Sequence, residues 1–318
     1  MIKNVSKLKK TLISRARFFG KGCKKVFVAG SGGVDSSLVI AILCEAFGAK
    51  NVVAVYRDIK SNPKHWKDIK LLQSIFRFKL CFIDANKIYD LLLRQLEDQF
   101  KKIGLPWAEE GALKANKLGF TSAYASLKSR LTTPISGFVA KAIDGGRGRI
   151  FGTGNGEEDG LLRYFDKYGD GAVDNNLLNG LTKGEVRQLA LCMGVPAQIV
   201  TKIPNADLEA RGDKHNDEDQ LTNWAHRLGF NIKISYGAGD GSREGNIAWA
   251  WKQDRINGVI AGKLRNLAAE KLKKHFKYTK DEVNVILFLR AVEKSTRHKV
   301  EPILGLDRDT LEKLRLVD

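Results

Sequence analysis

The sequence predicts an α/β fold, doubly wound, with a mainly parallel sheet carrying helices on both faces. Three observations point there. Short apolar runs at 26–29, 51–56 and 80–84 have strand composition. Between and after them, residues 38–47, 68–76 and 88–103 carry apolar positions at helical spacing. A strand, helix, strand series of this length favours parallel pairing through right-handed crossovers. With 318 residues and 43% hydrophobic content, the chain can bury a real core, and wholesale disorder is excluded.

The first run, Val26 to Ala29, breaks at Gly30-Ser31-Gly32-Gly33-Val34-Asp35-Ser36-Ser37, and residues 38–47 then read as a helix. A buried strand entering a glycine-rich turn and a helix N-terminus is an anion site. Its backbone N–H groups point at the ligand, and the helix dipole favours negative charge. A Cβ would hold a phosphate off the backbone, which is why glycine is needed. Ser31, Ser36 and Ser37 add hydroxyls, and Asp35 suits a magnesium ion. A Walker A loop is excluded because no lysine follows. The Gly-x-Gly-x-x-Gly dinucleotide pattern fails at its last place, which is Asp35.

Ahead of this loop, residues 1–25 contain no acid, as an organellar presequence would. Val5, Leu8, Leu12 and Ile13 at helical spacing predict instead a surface helix beside the first strand, and no signal-peptide apolar block is present. After the second strand, residues 57–66 hold Ser61-Asn62-Pro63 where loops line the crevice of open α/β sheets, so they are expected to form a mobile flap. Residues 105–120 read as a polar connection. Residues 122–141 read as helical, with Pro134 kinking the helix or shifting its start. A basic turn at 144–149 leads into a short strand at 150–151, which ends in a loop, 152–159.

Residues 163–174 place aromatics, one lysine and carboxylates between glycines, a composition that suits a binding surface. A helix is expected at 181–191, and the polar run 209–219 is expected to be exposed and mobile. Residues 221–262 carry three tryptophans and glycine-rich turns to which the sequence assigns no role. Helices are expected at 264–276 and 280–293.

The four cysteines form no C-x-x-C pair, which argues against a zinc site or a dithiol. Cys44 and Cys81 read as core thiols of a reducing cytosol, so a cytoplasmic location is expected. No apolar run is long enough for a membrane span. The net charge of +18 suits polyanions, either nucleic acid or phosphate-rich substrates. The cations are spread along the chain with no RNA-binding signature, so a generally basic surface is the alternative and nucleic acid is not expected as a partner.

Ser-Gly-Gly-Val-Asp-Ser at 31–36 resembles the pyrophosphate loop of ATP pyrophosphatases. Two further motifs follow it. They are Tyr-Phe-Asp-Lys-Tyr-Gly-Asp-Gly-Ala-Val-Asp at 164–174 and Ala-Asp-Leu-Glu at 206–209. With Gly-Leu-Thr-Lys at 180–183 and His298-Lys299, the set resembles ammonia-dependent NAD synthetase over most of the chain. The resemblance implies an adenine nucleotide alpha hydrolase-like fold in one domain over 1–318, with an insertion at about 221–262 and a helical C-terminal segment at 263–318. It implies ATP-dependent amidation of deamido-NAD with ammonia through an adenylate, releasing AMP and pyrophosphate.

By the same resemblance, Gly30 to Ser37 would hold the ATP phosphates with Lys128, Arg130, Thr153 and Lys183. Asp35 and Glu158 would bind Mg2+, and Asp35, Lys183 and Glu158 would be catalytic. Tyr164, Phe165, Lys167, Tyr168, Asp170, Asp174, His298 and Lys299 would line the deamido-NAD site. Residues 205–219 would be a substrate-ordered flap, and the chain a homodimer. The sequence departs from the family pattern at Tyr124, Ser126, Gly156, Asp166, after Lys299 and in the block 221–262. Two alternatives remain at this point: a PP-loop ATP pyrophosphatase that modifies tRNA, and a non-catalytic nucleotide-binding relative.

Overall fold

The computed structural model describes residues 1–104, 123–143, 145–207 and 216–301. Five strands form one sheet: β1 (Val26–Ala29), β2 (Val52–Asp58), β3 (Lys79–Asp84), β4 (Arg149–Gly152) and β5 (Asn175–Asn176). Their order is β3-β2-β1-β4-β5, and every neighbouring pair is parallel. The chain winds outward from β1 to one edge, then returns to build the other edge from β4. The reversal opens a crevice beyond the carboxyl ends of β1 and β4, where ligands bind in open α/β sheets.

The period of two along each strand supplies a core to each face. Val26 and Val28 face α1 (Val5–Phe19), α2 (Val34–Phe47), α3 (Pro63–Phe76) and α7 (Lys183–Cys192). Phe27, Val53 and Val55 face the opposite way, onto Val139 and Ala140 of α6 (Thr132–Ile143). Beside them lie α4 (Asn86–Lys102) and α5 (Ala123–Arg130). The helices on both faces are therefore as the sequence predicts.

Several element boundaries differ from expectation. The helix after the glycine turn starts at Val34, so Asp35, Ser36 and Ser37 belong to its first turn. The N-terminal helix lays Leu12, Ile13 and Ala16 on α2 and α7 rather than along the first strand. Residues 57–66 are not a flap. They are the end of β2, a turn, and the start of α3, where the Asn62 side chain accepts from Lys64 N–H and Pro63 takes the first helical position. The helix expected at 122–141 is two helices broken at Leu131, with Pro134 in the first turn of α6, where its missing N–H has no partner to lose. The helix expected at 264–276 begins only at Ala269, giving α11 (Ala269–Phe276).

The loop expected at 152–159 instead turns at Asn155 into a π-helical segment, Gly156–Leu162. The run 209–219 is not exposed throughout. Residues 208–215, like the connection at 105–120, lie outside the described residues. Asn216 and Asp219, however, form a capping box that starts α9 (Asp217–Arg227), and Asp217 is buried. The short α8 (Ala197–Val200) precedes it.

The tryptophan-bearing block 221–262 starts inside α9 and builds a second core. Leu221, Trp224 and Ile247 of α9 and α10 (Asn246–Asn257) pack with Leu161 and Leu162 of the π-helical segment. Ile286, Phe288 and Leu289 of α12 (Lys280–Thr296) complete it. Gly156 marks the seam, because any Cβ there would enter the Trp251 indole. None of the four cysteines is in a disulfide, and burial pushes the Cys44 thiol up to about 12. No described helix is long and apolar enough to cross a membrane.

Candidate active site

A cleft of about 240 Å³ opens at the carboxyl ends of β1 and β4. Gly30, Ser31, Gly33, Val34, Asp35 and Ser36 form one wall. Gly33 is the N-cap of α2 and has no side-chain cap bond, so the first N–H groups of the helix remain free for a ligand. The hydroxyls hold the turn in shape. Ser31 Oγ lies 3.0 Å from Ser36 Oγ, and Ser37 Oγ donates to the Gly33 carbonyl at 2.8 Å. Gly32 has a φ of +77°, and a Cβ there would meet the His65 carbonyl oxygen at 2.6 Å. Gly32 and Ser37 therefore support the turn from behind rather than line the cleft.

At the cleft floor one lysine joins three elements. Lys183, at the start of α7, donates Nζ to Asp35 Oδ2 at 2.6 Å and to Glu158 Oε1 at 2.8 Å. Its side chain is 4% exposed. Asn155 completes the bridge, with Nδ2 donating to Asp35 Oδ1 at 3.0 Å and to Glu158 Oε2 at 2.7 Å. Asn155 Oδ1 in turn accepts the Glu157 and Glu158 N–H groups, capping the π-helical segment. Sequence reasoning assigned Asn155 no role. The signal was present, since an asparagine two and three residues before acids at a strand end is an N-cap pattern.

Burial pushes the Glu158 carboxyl up to about 7, with the charges of Asp35 and Asp217 adding to burial and Lys183 opposing it. Burial likewise raises Glu157 to about 8, against the Lys183 N–H at 2.6 Å, and Asp217 to about 6. Burial alone would lower Lys183, but the carboxylates of Asp35 and Glu158 outweigh it, so the ammonium stays protonated. These carboxyls titrate above their unfolded values, so the native state binds more protons than the unfolded state from about pH 4 to about pH 8. The ligand-free chain is therefore expected to lose stability as pH rises through that window. Its urea midpoint should be higher at about pH 5.5 than at about pH 8. Equal midpoints would mean that the buried acids are already ionised at the lower pH.

The remaining residues named from sequence separate into two groups. Lys128, Thr153, Tyr164 and Asp170 line the cleft. Lys128 Nζ donates to the Asp207 carbonyl, and Tyr164 Oη meets Gln220 Oε1 at 2.5 Å. Arg130, Phe165, Lys167, Tyr168, Asp174, His298 and Lys299 do not line it. Of these, Lys167 and Lys299 instead tie segment 163–174 to the C-terminal helix end. Lys167 Nζ donates to the His298 and Glu301 carbonyls, and Lys299 Nζ to those of Arg163 and Phe165. Asp174 accepts the Ile150 N–H at 2.7 Å, fixing the edge of β4. Tyr168 is exposed. Two of the departures compensate one another, because Asp166 Oδ1 accepts from Ser126 Oγ at 3.2 Å and pairs with Arg130 at 3.5 Å.

The cleft also holds Arg57, Asp159, Asp217 and Asp207, none of them given a role from sequence, although Asp207 stands in the Ala-Asp-Leu-Glu motif and Asp217 in the run 205–219. Asp207 Oδ2 accepts the Asn62 N–H at 2.9 Å and lies 3.3 Å from His65 Nδ1, so segment 202–207 is strapped to the start of α3. Among the described residues no three acids, histidines or cysteines are arranged to hold a metal. Asp35 and Glu158 fit magnesium nonetheless. That ion takes one or two carboxylates when phosphates and water supply the rest, and these two already grip a cation between them.

The NAD synthase family model matches residues 5–226. An NH3-dependent NAD+ synthetase of Methanococcoides burtonii is 31% identical over 204 residues, covering 64% of this chain and 68% of the relative. That of Syntrophomonas wolfei is 29% identical over 253 residues, covering 78% and 87%. Among solved structures, the NMN synthetase of Francisella tularensis matches with a TM-score of 0.65 at 16% identity, covering 96% of this chain and all of that one. The NH3-dependent NAD synthetase of Campylobacter jejuni has a TM-score of 0.64 at 17% identity and the same coverage. These two likenesses bear on the fold. The sequence match, spanning the glycine turn, the cleft floor and the segment between them, places the chain in the NAD synthase family.

Proposed function

We propose that the chain is an ammonia-dependent NAD synthetase, which amidates deamido-NAD at the expense of ATP and releases AMP and pyrophosphate. The observation that carries this reading is the Lys183 ammonium held between Asp35 and Glu158 directly below the free N-terminus of α2. A carboxylate is a poor acceptor for ammonia. Attack of its oxygen on the α-phosphorus of ATP forms an acyl adenylate and expels pyrophosphate. Ammonia then displaces AMP to leave the amide.

No protein nucleophile is required, so positioning and electrostatics supply the rate. The N–H groups of residues 34–36 and the hydroxyls of Ser31 and Ser36 bind the phosphates. Lys183 offsets the charge that builds on the departing pyrophosphate. Asp35 and Glu158 would hold magnesium, which supplies charge neutralisation at the phosphates when bound. Arg57 and Asp170 bound the side of the cleft toward segment 163–174, where the acceptor would lie. A cytoplasmic homodimer, with 221–262 as an insertion in a single domain, belongs to the same reading.

The test incubates purified protein with ATP, magnesium, ammonium and deamido-NAD and follows NAD, AMP and pyrophosphate together. A parallel reaction offers nicotinate mononucleotide and follows NMN. NAD formed in step with AMP, and lost in Asp35→Ala, is the expected result. AMP without either amide would assign the loop to another acceptor, with tRNA tested next. ATP bound without AMP release would leave a non-catalytic relative.

A further inference from the structure

We propose that Arg57 holds the carboxylate of the acceptor, the group that the reaction converts to an amide. This rests on the amidation reading above and names the residue that tells the acid from its product. Among the described residues, the other basic side chains that line the cleft are engaged. Lys183 grips Asp35 and Glu158, Lys202 pairs with Asp68 at 2.8 Å, His65 faces Asp207 at 3.3 Å, and Lys128 donates to the Asp207 carbonyl. Arg57 is half-buried at the cleft wall and makes no hydrogen bond or ion pair among the described residues. Burial disfavours its charge, yet a guanidinium cannot escape by losing its proton. An arginine left in this state costs stability, and it is expected where an anion supplies the missing bonds.

The direction of the side chain follows from the strand. Side chains alternate along β2, and Val53 and Val55 share a core with Val139 and Ala140 of α6. Ile59, next in the same alternation, packs in a cluster with Leu127, Leu131 and Ile135 of the α5–α6 pair. Arg57 lies between Val55 and Ile59 and faces the same layer. Because α6 leads into β4, it runs against the strands and sets its first turns at the cleft end. Ser136 and Thr132 stand about 4.5 and 10 Å above Val139 along the helix. Arg57 stands about 7 Å above Val55 along the strand. It is therefore level with two residues that also line the cleft and whose hydroxyls are also buried without partners. Three unsatisfied polar groups share one wall.

The wall says which anion. It stands on the opposite face of the sheet from α2, whose N-terminus serves the phosphates of ATP. Of the acceptor's anionic groups, the carboxylate is the one that must enter the cleft to meet the α-phosphorus. A guanidinium fork matches its two oxygens with two parallel N–H bonds. Each oxygen keeps a further lone pair for the attack. In the amide product one of those oxygens has become an NH2 donor, which meets the N–H donors of the fork and breaks the match. Arg57 thus binds the acid and releases the amide.

The test measures the affinities of deamido-NAD and NAD, which differ only in this group, for wild type and Arg57→Gln. An ATP analogue that cannot be cut between its α and β phosphates is present throughout. The wild type is expected to prefer the acid by about ten- to a hundred-fold, and Arg57→Gln to lose that preference by weakening deamido-NAD alone. Arg57→Lys, which keeps the charge and loses the fork, should fall between them. The preference is a ratio within one protein, so general distortion cancels from it. Three results would overturn the assignment. The first is a wild type without acid preference. The second is equal weakening of both dinucleotides, which would move Arg57 to the acceptor's phosphates. The third is weaker binding of the ATP analogue with the preference intact, which would move it to the nucleotide.

The same ratio separates the site from the reaction. If no NAD forms but the acid preference is lost in Arg57→Gln, the site stands and the proposed reaction fails. If NAD forms and the preference survives the substitution, the reaction stands and the site fails.

Discussion

Lys183→Met is expected to abolish NAD formation, lowering kcat by at least about a thousand-fold, and to destabilise the chain by about 3–5 kcal/mol. The volume changes little, so packing is not the cause. The substitution leaves Asp35 and Glu158 facing each other in a buried site with their shared cation removed. One carboxylate must then take up a proton or the site must open, and either outcome destroys the geometry that receives the phosphates. The loss separates into two measurements. Urea unfolding in chelator gives the stability term. Single-turnover kinetics under conditions where the variant is fully folded give the catalytic term. Added magnesium should raise the melting temperature of the variant more than that of the wild type, because the vacated carboxylates then bind it without competition from the lysine. A folded variant with near-normal turnover would reduce Lys183 to a structural counter-ion.

Asn155→Ala should cost about 2–4 kcal/mol and about a hundred-fold in kcat, and Asn155→Asp should separate the causes. The asparagine is fully buried. Its amide N–H groups solvate one oxygen each of Asp35 and Glu158, while its carbonyl caps the segment that carries Glu158. Alanine removes both functions. Aspartate keeps the cap and adds a third carboxylate to a site that holds one lysine. If the cap dominates, aspartate restores stability. If the solvation of the two acids dominates, aspartate is worse than alanine at neutral pH and recovers as pH falls. Midpoints at two pH values and kcat for both variants decide between them.

The sheet and its ligand-binding end were legible from residues close together in the chain. Glycines followed by an acid and two serines mark a strand-to-helix turn whatever lies around it. The cleft floor was only half legible. Lys183 was visible as a helix-start lysine, but its partners stand 148 and 25 residues away, and spacing carries no information about where such a side chain points. The two helix starts that fell inside runs read as loops share a cause. Asn62-Pro63 and Asn216 with Asp219 are helix-start signals, and their polar composition resembles that of a loop. The tryptophans of 221–262 have no periodicity of their own to show a core, because they pack on α12 and on the π-helical segment rather than within one element. The second group of residues named from the resemblance shows the opposite limit. Lys167 and Lys299 lie in a motif, yet in the ligand-free chain their ammonium groups are spent on backbone carbonyls.

The strand order has a consequence for how the chain reaches this state. β1 is made early, and one of its two neighbours is β4, encoded after two further strands and, among the described residues, five α-helices. The pairing of β1 with β4 is what brings Asn155 and Glu158 over Asp35. Lys183 arrives later still, when more than half of the polypeptide has been made. Contacts of such long range are the slow ones, because loop closure must be met before they form. The nucleotide turn is therefore expected to exist for some time during synthesis as an unfinished half-site. Nascent chains stopped before residue 149 should not bind ATP, and binding should appear only once α7 has emerged. ATP would then discriminate finished molecules from partial ones, and its presence during refolding should speed the last step without altering the first.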